Sequence, residues 1–406
     1  MIDTPKANRM HIAIFGKRNV GKSSLINALT GQQIALVSDM AGTTTDPVYK
    51  AMELLPVGPV VIIDTAGLDD HGEIGELRVK KTREVMEKSD LALLVFTADD
   101  ESLSLEKEWY RELHARKIPV IGVINKIDEA DAELEVFQTQ FDIPFIKVSA
   151  KQRTNIGKLK EAIQNHAPAD FERPTLLGDI VKSKDIVVLV APQDIQAPKG
   201  RLILPQVQII RDILDQHALA LTVTDGELED ILTALKHDPD LVITDSQVFD
   251  KVNKILPNHV PLTSFSILMA RYKGDLDVFV QGAKAIDRLQ SGDKVLIAEA
   301  CTHHALKGDI GREKLPVWLA QKTGGTLDVT INAGVDFPDD LTPYKLIVHC
   351  GACMFNRKQL MTRLARSEDQ QIPITNYGVA IAHIHGMLDR VMRVFKRSEQ
   401  DWTSKG

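Results

Sequence analysis

The amino-acid sequence predicts an α/β fold made of three domains with mainly parallel sheets. Short apolar runs alternate with longer amphipathic stretches along most of the chain, which is the pattern of strands joined by crossover helices. A chain of 406 residues is long enough for two or three hydrophobic cores. The alternation changes after Ala167 and again near Arg271, so we expect domains at residues 8–170, 175–268 and 269–396.

Composition and charge narrow the classes of function. The chain is 44% hydrophobic and 26% charged, as ordinary globular proteins are, and its net charge is -7. A negative balance gives no overall attraction to nucleic acid or to an anionic membrane, so we expect neither as a partner. Residues 1–10 carry no apolar core of signal-peptide length, and no run in the sequence reaches about 18 apolar residues. We therefore expect a cytoplasmic protein.

The first predicted strand, His11–Phe15, leads directly into the loop Gly16-Lys-Arg-Asn-Val-Gly-Lys-Ser23, and a helical pattern follows from Ser24 to Leu29. This G-x-x-x-x-G-K-S motif between a strand and a helix is typical of a phosphate-binding loop. Its backbone N–H groups surround the phosphates, Lys22 reaches the β- and γ-phosphates, and the Ser23 hydroxyl binds Mg²⁺. The predicted phosphate-binding residues are Gly16, Asn19, Val20, Gly21, Lys22, Ser23 and Ser24.

Three further motifs follow predicted strands in the order that a GTPase requires. Asp64-Thr-Ala-Gly67 places Asp64 to hold Mg²⁺ through water and the Gly67 amide to approach the γ-phosphate. In Asn125-Lys-Ile-Asp128, the Asp128 carboxylate accepts the two N–H groups that guanine has and adenine lacks. Ser149-Ala-Lys151 offers a backbone N–H to the guanine oxygen. The predicted base-binding residues are Asn125, Lys126, Asp128, Ser149, Ala150 and Lys151.

These motifs, over residues 10–167, resemble the GTPases of the tRNA-modification (TrmE) and Era-like branch. That branch carries Gly-Thr-Thr in its first switch, and Gly42-Thr-Thr-Thr-Asp46 stands in the same place here. The resemblance implies that Thr44 is a second Mg²⁺ ligand. The catalytic residues that it implies are Lys22, Thr44 and Gly67.

The same resemblance implies a role for potassium. Leu68 stands where Ras-like enzymes carry a glutamine that orients the attacking water. Members of the branch with this substitution commonly use K⁺, held in part by an asparagine of the phosphate loop, and Asn19 occupies the matching position. We therefore expect K⁺-dependent GTP hydrolysis.

All three cysteines of the chain follow predicted strands of the third domain. Cys301 follows the apolar run Lys294–Ala300, and Cys350 and Cys353 form a C-x-x-C turn after the run Leu346–Val348. Without an export signal we expect reduced thiols and no disulfide framework. Three thiolates near one point suggest an iron–sulfur cluster with one iron left open, or a zinc site. Buried hydrophobic cysteines and a redox dithiol are the alternatives.

Each cysteine arm also carries a histidine, His303 in Cys-x-His and His349 in His-Cys-x-x-Cys. Each binds the metal as a fourth ligand, supports a ligand through a hydrogen bond, or is a buried core histidine. The middle domain has no cysteine and no convincing catalytic set, so we expect it to mediate dimerisation. Near the end of the chain the pattern predicts one helix from Ile381 to Phe395.

The order of these parts resembles one family over nearly the full chain, the FeFe-hydrogenase H-cluster maturation GTPases (HydF). The resemblance implies a homodimer with a [4Fe-4S] cluster on Cys301, Cys350 and Cys353, with His303 and His349 close by. The fourth iron position would be exchangeable and filled by histidine, water or a nearby carboxylate such as Asp309 or Glu313. It further implies a scaffold that receives a diiron precursor carrying CO and cyanide, built with two radical-SAM maturases, and transfers it to the FeFe-hydrogenase apoprotein.

Two other functions are consistent with parts of the sequence. An RNA- or ribosome-associated regulatory GTPase with a structural Cys3His zinc site explains the first domain equally well, but neither the acidic balance nor a recognisable RNA-binding module supports it. A redox enzyme that uses the cluster catalytically would need acid and base groups beside it, and the sequence does not indicate them. Metal analysis distinguishes the zinc site from the cluster.

Overall fold

A computed structural model of the chain describes residues 6–31, 47–65, 75–99, 102–130, 133–168, 175–192, 202–300 and 309–403. The chain divides into two compact units, Met1–Glu172 and Arg173–Gly406. Four residues with predicted roles, as well as Leu68, lie outside the described residues. Those four are Thr44, Gly67, Cys301 and His303.

The first unit contains a six-stranded sheet, counted over the described residues, with the strand order β2-β3-β1-β4-β5-β6. All neighbouring strands are parallel except β2 and β3. The strands are β1 (Met10–Phe15), β2 (Val48–Leu54), β3 (Gly58–Asp64), β4 (Leu91–Thr97), β5 (Val120–Asn125) and β6 (Phe145–Lys147). The helices are α1 (Lys22–Thr30), α2 (Gly75–Lys88), α3 (Ser104–Ala115), α4 (Leu134–Gln138) and α5 (Ile156–Asn165). Hydrophobic clusters lie on both faces of the sheet, which explains why β1, β4 and β5 read as continuous apolar runs.

The second unit contains two four-stranded parallel sheets within its described residues, ordered β10-β9-β7-β8 and β12-β11-β13-β14. The first sheet and its helices are β7 (Ile186–Val190), α6 (Leu204–Asp215), β8 (Leu219–Val223), α7 (Leu228–Ala234), β9 (Leu241–Thr244), α8 (Phe249–Ile255), β10 (Leu262–Ser264) and α9 (Phe265–Lys273). The second sheet and its helices are α10 (Leu276–Ala283), β11 (Lys294–Glu299), α11 (Leu315–Thr323), β12 (Asp328–Ala333), β13 (Leu346–His349), α12 (Arg357–Asp369), β14 (Ile374–Asn376), α13 (Tyr377–Ile384) and α14 (Leu388–Thr403). The predicted α/β class with mainly parallel sheets is confirmed.

The two sheets of the second unit share one hydrophobic core, which includes Val188 of β7 and Ile297 of β11. Where they meet, the hydroxyls of Ser246 and Ser266 lie 2.6 Å apart, and a Cβ added to Gly378 would overlap the Ser266 hydroxyl. Each sheet has its own strand order, but the packing is continuous. The division at residues 268 and 269 into separate domains therefore stays a prediction.

The strand order predicts a ligand-binding position at the carboxyl ends of β11 and β13. From β11 the chain passes to β12 on one side and later to β13 on the other, so the order reverses between β11 and β13. Ligands of open parallel sheets bind beyond the carboxyl ends of the strands at such a point. Ala298 of β11 pairs with His349 of β13, and Cys350 follows directly.

The single helix predicted from Ile381 to Phe395 is wrong. The structure has two helices there, α13 and α14, because Gly386 adopts a left-handed φ of 70° between them. Helix α13 starts earlier than predicted, at a turn where the Asn376 side chain accepts a hydrogen bond from the Gly378 amide. Its buried face is apolar over several consecutive residues, so helical periodicity did not reveal its start.

Candidate functional site

The phosphate loop holds its lysine in place through the backbone. Lys22 is buried at the first turn of α1, and its Nζ donates to the carbonyl oxygens of Gly16 and Lys17, the latter at 2.7 Å. Gly21, just before it, has a φ of 89°, and a Cβ there would overlap the side-chain amide of Asn125. Asn19 has a φ of 64° and is exposed. The loop is therefore closed around Lys22, as phosphate binding requires.

The structure brings together two of the three predicted Mg²⁺ ligands. The Ser23 hydroxyl donates to Asp64 Oδ2 at 3.3 Å, although the residues are 41 positions apart in the chain. They meet because β1 and β3 are parallel neighbours, so the loop after β1 lies beside the carboxyl end of β3. One hydroxyl and one carboxylate at this distance match the oxygen ligands that Mg²⁺ prefers.

Four of the six predicted base-binding residues are joined in two hydrogen-bonded pairs, Asn125 with Ala150 and Ser149 with Asp128. Asn125 is almost fully buried, donates to the Val20 carbonyl at 2.8 Å and accepts from the Ala150 amide at 3.0 Å. It therefore ties the phosphate loop to the loop after β6. Nearby, the Ser149 hydroxyl donates to the Asp128 carboxylate, and this bond holds the pKa of Asp128 below its ordinary value. Asp128 thus remains an anionic acceptor for guanine N–H groups.

An ion pair with a buried carboxylate supports the phosphate loop and was not predicted. Lys17 Nζ lies 3.3 Å from the carboxylate of Glu106, which is fully buried in the first turn of α3. Lys17 also donates to the Ser102 carbonyl. In the sequence, Lys17 is a variable position of the motif and Glu106 is an ordinary acidic residue near a helix start. No motif links them, so the sequence alone did not reveal the pair.

At the second candidate site, the end of β13, His349 is fully buried between two partners. Its Nε2 lies 3.0 Å from Nη1 of Arg363, and its Nδ1 lies 2.9 Å from the Cys350 carbonyl oxygen. A guanidinium only donates, so Nε2 is the acceptor and Nδ1–H donates to Cys350. Burial and then the neighbouring Arg363 charge lower the pKa of His349 to about 3. Both ring nitrogens are engaged, so this geometry favours support of Cys350 over metal ligation.

Cys350 contacts the backbone at the end of β11, directly before Cys301. The backbone amide of Ala300 donates to Cys350 Sγ at 3.0 Å, and Cys301 is the next residue. Cys350 and Cys353 are both partly exposed on the turn after β13. Within the described ranges, no group of three or more His, Cys, Asp and Glu side chains could hold a metal ion. Two of the three predicted thiolates are thus described on one turn, and the backbone just before Cys301 contacts the sulfur of Cys350.

Two buried cations beside the turn were missed by sequence reasoning. Arg363 of α12 is sandwiched between the rings of Phe337 and Phe355, with its guanidinium carbon 4.7 and 4.5 Å from their centroids. Lys273, at the end of α9, is fully buried. A signal existed for Arg363, because it occupies an apolar-stripe position of its helix with Leu360 and Leu364. Lys273 resembles an ordinary basic residue of a last helical turn, and no signal distinguished it.

One comparison with known proteins identifies three family models along the chain. Residues 11–126 match the 50S ribosome-binding GTPase model. Residues 176–274 match the hydrogen maturase F dimerization domain, and residues 277–394 match the hydrogen maturase F tetramerization domain. No helix among the described residues is both long and apolar enough to cross a membrane.

Curated relatives are similar to the N-terminal part of the chain. The tRNA modification GTPase MnmE of Acinetobacter baumannii (strain ATCC 17978) is 32% identical over 233 residues, covering 55% of this chain and 49% of the relative. GTPase Der of Sulfurimonas denitrificans is 34% identical over 173 residues, covering 40% of this chain and 35% of the relative. The chain thus spans half or less of the length of these two relatives.

Among solved structures, an Era variant of Aquifex aeolicus bound to GDP.AlF4- matches with a TM-score of 0.36 and 20% identity. The match covers 56% of this chain and 98% of that one, but the score is too low to support a conclusion. The family models carry the assignment. The two hydrogen maturase F models together match more than half of the chain, and the GTPase model matches most of the region before them, so the chain belongs to the hydrogen maturase F family.

Proposed function

We propose that this protein is a FeFe-hydrogenase maturation GTPase that also serves as a scaffold for a [4Fe-4S] cluster. It hydrolyses GTP to GDP and phosphate, receives the diiron precursor of the H-cluster with its CO and cyanide ligands, and transfers it to the hydrogenase apoprotein. Radical-SAM maturases supply the precursor. Membership in the hydrogen maturase F family and the contact between Ala300 and Cys350 support this proposal.

Hydrolysis of GTP rests on the arrangement of the first unit. Lys22 neutralises charge on the β- and γ-phosphates, Ser23 and Asp64 hold Mg²⁺ with Thr44, and Asp128 selects guanine. The Gly67 amide contacts the γ-phosphate. Asn19, exposed on the phosphate loop, supplies an amide oxygen for K⁺, which would stabilise transition-state charge in place of an arginine finger.

The donor set at the end of β11 and β13 fits an iron–sulfur cluster. The residues that would hold it are Cys301, Cys350 and Cys353, and three thiolates leave one iron with an exchangeable position. A bound cluster would supply that open iron for a cyanide of the diiron precursor. His349 holds the Cys350 carbonyl through its Nδ1–H and does not ligate. His303 then remains the histidine that is placed by sequence to fill the fourth position.

The second unit is proposed to assemble the protein as a homodimer. The dimerization and tetramerization models of the family match its two sheets and so support self-association. In the first of these sheets β8 is an edge strand, and its Leu219 is 55% exposed. Unpaired edge strands with exposed apolar side chains favour pairing with another chain. Dimerisation is therefore assigned to residues 175–268, and cluster binding to residues 269–396.

The decisive experiment measures iron, sulfide and the EPR signal after anaerobic reconstitution and reduction. Wild type should bind about four iron and four sulfide per chain, as a [4Fe-4S] cluster requires. Cys301→Ala, Cys350→Ala and Cys353→Ala should each lose or alter the signal while keeping GTP hydrolysis. One zinc per chain and no cluster in the wild type would refute the scaffold and favour a regulatory GTPase with a structural zinc site.

A further inference from the structure

Lys273 connects a distant helix to the cysteine turn. It is the last residue of α9 and has no exposed surface. Its Nζ donates to three backbone carbonyl oxygens of the turn, those of Ala352 at 3.0 Å, Cys353 at 3.1 Å and Phe355 at 2.7 Å. The turn lies about 80 residues further along the chain, so this contact is tertiary.

The number of acceptors around Nζ favours the charged form of this side chain. A neutral amine has two N–H groups, whereas an ammonium has three, and three carbonyl oxygens surround Nζ within 3.1 Å. Lys273 is therefore a buried cation. Burial of a charge is costly unless hydrogen bonds compensate for it, and these carbonyl groups provide them. A permanent positive charge thus lies directly beneath the turn that carries Cys350 and Cys353.

The contacts of Lys273 also orient the amides of the turn. In a trans peptide the C=O and N–H groups point in opposite directions. Since the carbonyls of Ala352 and Cys353 point to the ammonium, the N–H groups of Cys353 and Met354 point away from it. Neither amide donates a hydrogen bond within the part of the chain that the structure describes. Ala352 has a left-handed φ of 51°, and turns of this kind form concave groups of N–H donors that accept anions and Fe–S centres.

We propose that Lys273 is a positioning residue for the anionic metal–thiolate centre. It holds the carbonyls of the turn on one side, which leaves the amides of Cys353 and Met354 pointing away from the ammonium and available to the centre, and it adds a positive charge. This inference rests on the proposed cluster site. A nearby positive charge stabilises the reduced, more negative form of a cluster, and the fixed turn slows the loss of iron.

The test compares three variants of the full chain after anaerobic reconstitution. Lys273→Met removes the charge and all three hydrogen bonds but keeps most of the length of the unbranched side chain. Lys273→Arg restores the charge. Arg390→Met is the control, because Arg390 also donates to backbone carbonyls, those of Pro257 and Val260, at another turn of the same unit. The readouts are the rate of iron loss to a chelator, the midpoint potential from EPR-monitored titration, and hydrogen exchange of the turn in metal-free protein.

We expect Lys273→Met to lose iron about tenfold faster or more, a typical cost of removing a support for metal ligands. Its midpoint potential should become more negative, and the amides around Cys353 should exchange faster. Lys273→Arg should retain the wild-type potential, and Arg390→Met should change thermal stability alone. If Lys273→Met does not fold, the positioning role is tested by comparing Lys273→Arg with Arg390→Met. The guanidinium of Lys273→Arg keeps the positive charge but cannot reproduce the geometry of the three carbonyl contacts. Faster iron loss in Lys273→Arg, at an unchanged potential, then supports the inference.

Two outcomes distinguish this inference from the proposed function. A wild type that binds the cluster, with Lys273→Met matching it in iron loss, potential and exchange, overturns the role of Lys273 and leaves the scaffold intact. A wild type that takes up zinc in place of a cluster refutes the scaffold. The rate of zinc release from Lys273→Met then tests the positioning role of Lys273 independently of the scaffold. A tenfold faster release supports that role, and an unchanged rate refutes it.

Discussion

Replacement of Arg363 by methionine tests the claim that this side chain holds His349 and, through it, Cys350. Methionine keeps much of the volume but removes the bond to His349 Nε2 at 3.0 Å and the bond to the Gly334 carbonyl at 2.7 Å. Each buried acceptor left without its donor costs about 1–3 kcal/mol. Loss of the cation–π contacts with Phe337 and Phe355 adds roughly 0.5–2 kcal/mol. We therefore expect the free energy of unfolding of the second unit to fall by about 2.5–8 kcal/mol.

The assay is hydrogen exchange of the β13 amides as a function of urea, in metal-free protein, because it reports on this sheet alone. Arg366→Met is the matched control on the same helix. Arg366 is more exposed, and its bonds to the carbonyls of Phe337 and Pro338 are longer, at 3.3 and 3.4 Å. We expect Arg366→Met to lower the free energy of unfolding by less than about 1 kcal/mol. An equally small loss for Arg363→Met would refute the reasoning.

Three other predictions concern both units. Asp128→Asn should weaken GTP binding by at least about tenfold, because the amide cannot accept both guanine N–H groups. Binding of ATP should change little, and nucleotide titration measures both affinities. An unchanged GTP affinity would contradict the assignment of Asp128. Gly21→Ala should abolish nucleotide binding in a folded protein, since the residue has a φ of 89° and its Cβ would overlap the Asn125 amide. A variant that binds nucleotide as tightly as wild type would show that the loop adapts and would contradict this prediction. The pKa of His349 is lowered to about 3, so only the unfolded chain protonates it between about pH 6.5 and pH 3. The second unit should therefore lose stability as the pH falls through this window, by up to about 1.4 kcal/mol per pH unit, and His349→Gln should show a shallower slope in urea unfolding at each pH.

The sequence predicted those parts of the site that lie directly after strands. Apolar runs identify the strands, and parallel pairing brings their carboxyl ends to one edge, so the positions of Ser23 beside Asp64 and of Cys350 beside the end of β11 followed from local patterns. The bond between Ser149 and Asp128 also connects two predicted motifs. These contacts join segments whose roles were already recognisable from residue type and order.

Contacts made by side chains from outside the motifs could not be predicted in this way. Lys273 and Arg363 are basic residues on helices, where such residues usually lie in solvent. The position of Arg363 between Leu360 and Leu364 hints that it is buried, whereas only the tertiary structure shows the burial of Lys273. Their partners are mostly backbone carbonyls, which every residue has, so the residue types do not indicate which groups these side chains contact. The break at Gly386 was missed for a related reason, because a glycine within an apolar helical pattern is also compatible with a continuous helix.

Helix α9 gives the second unit a direct mechanical connection between its two sheets. The helix starts at the end of β10, where the Ser264 hydroxyl caps it by accepting from the Ile267 amide, and it ends at Lys273 against the cysteine turn. Nine helical residues span about 13 Å and do not compress. A displacement of the first sheet, such as one imposed by assembly with another subunit, would move the ammonium and the carbonyls it holds. In the proposed assembly, α9 would therefore link the sheet assigned to dimerisation with the turn that carries Cys350 and Cys353.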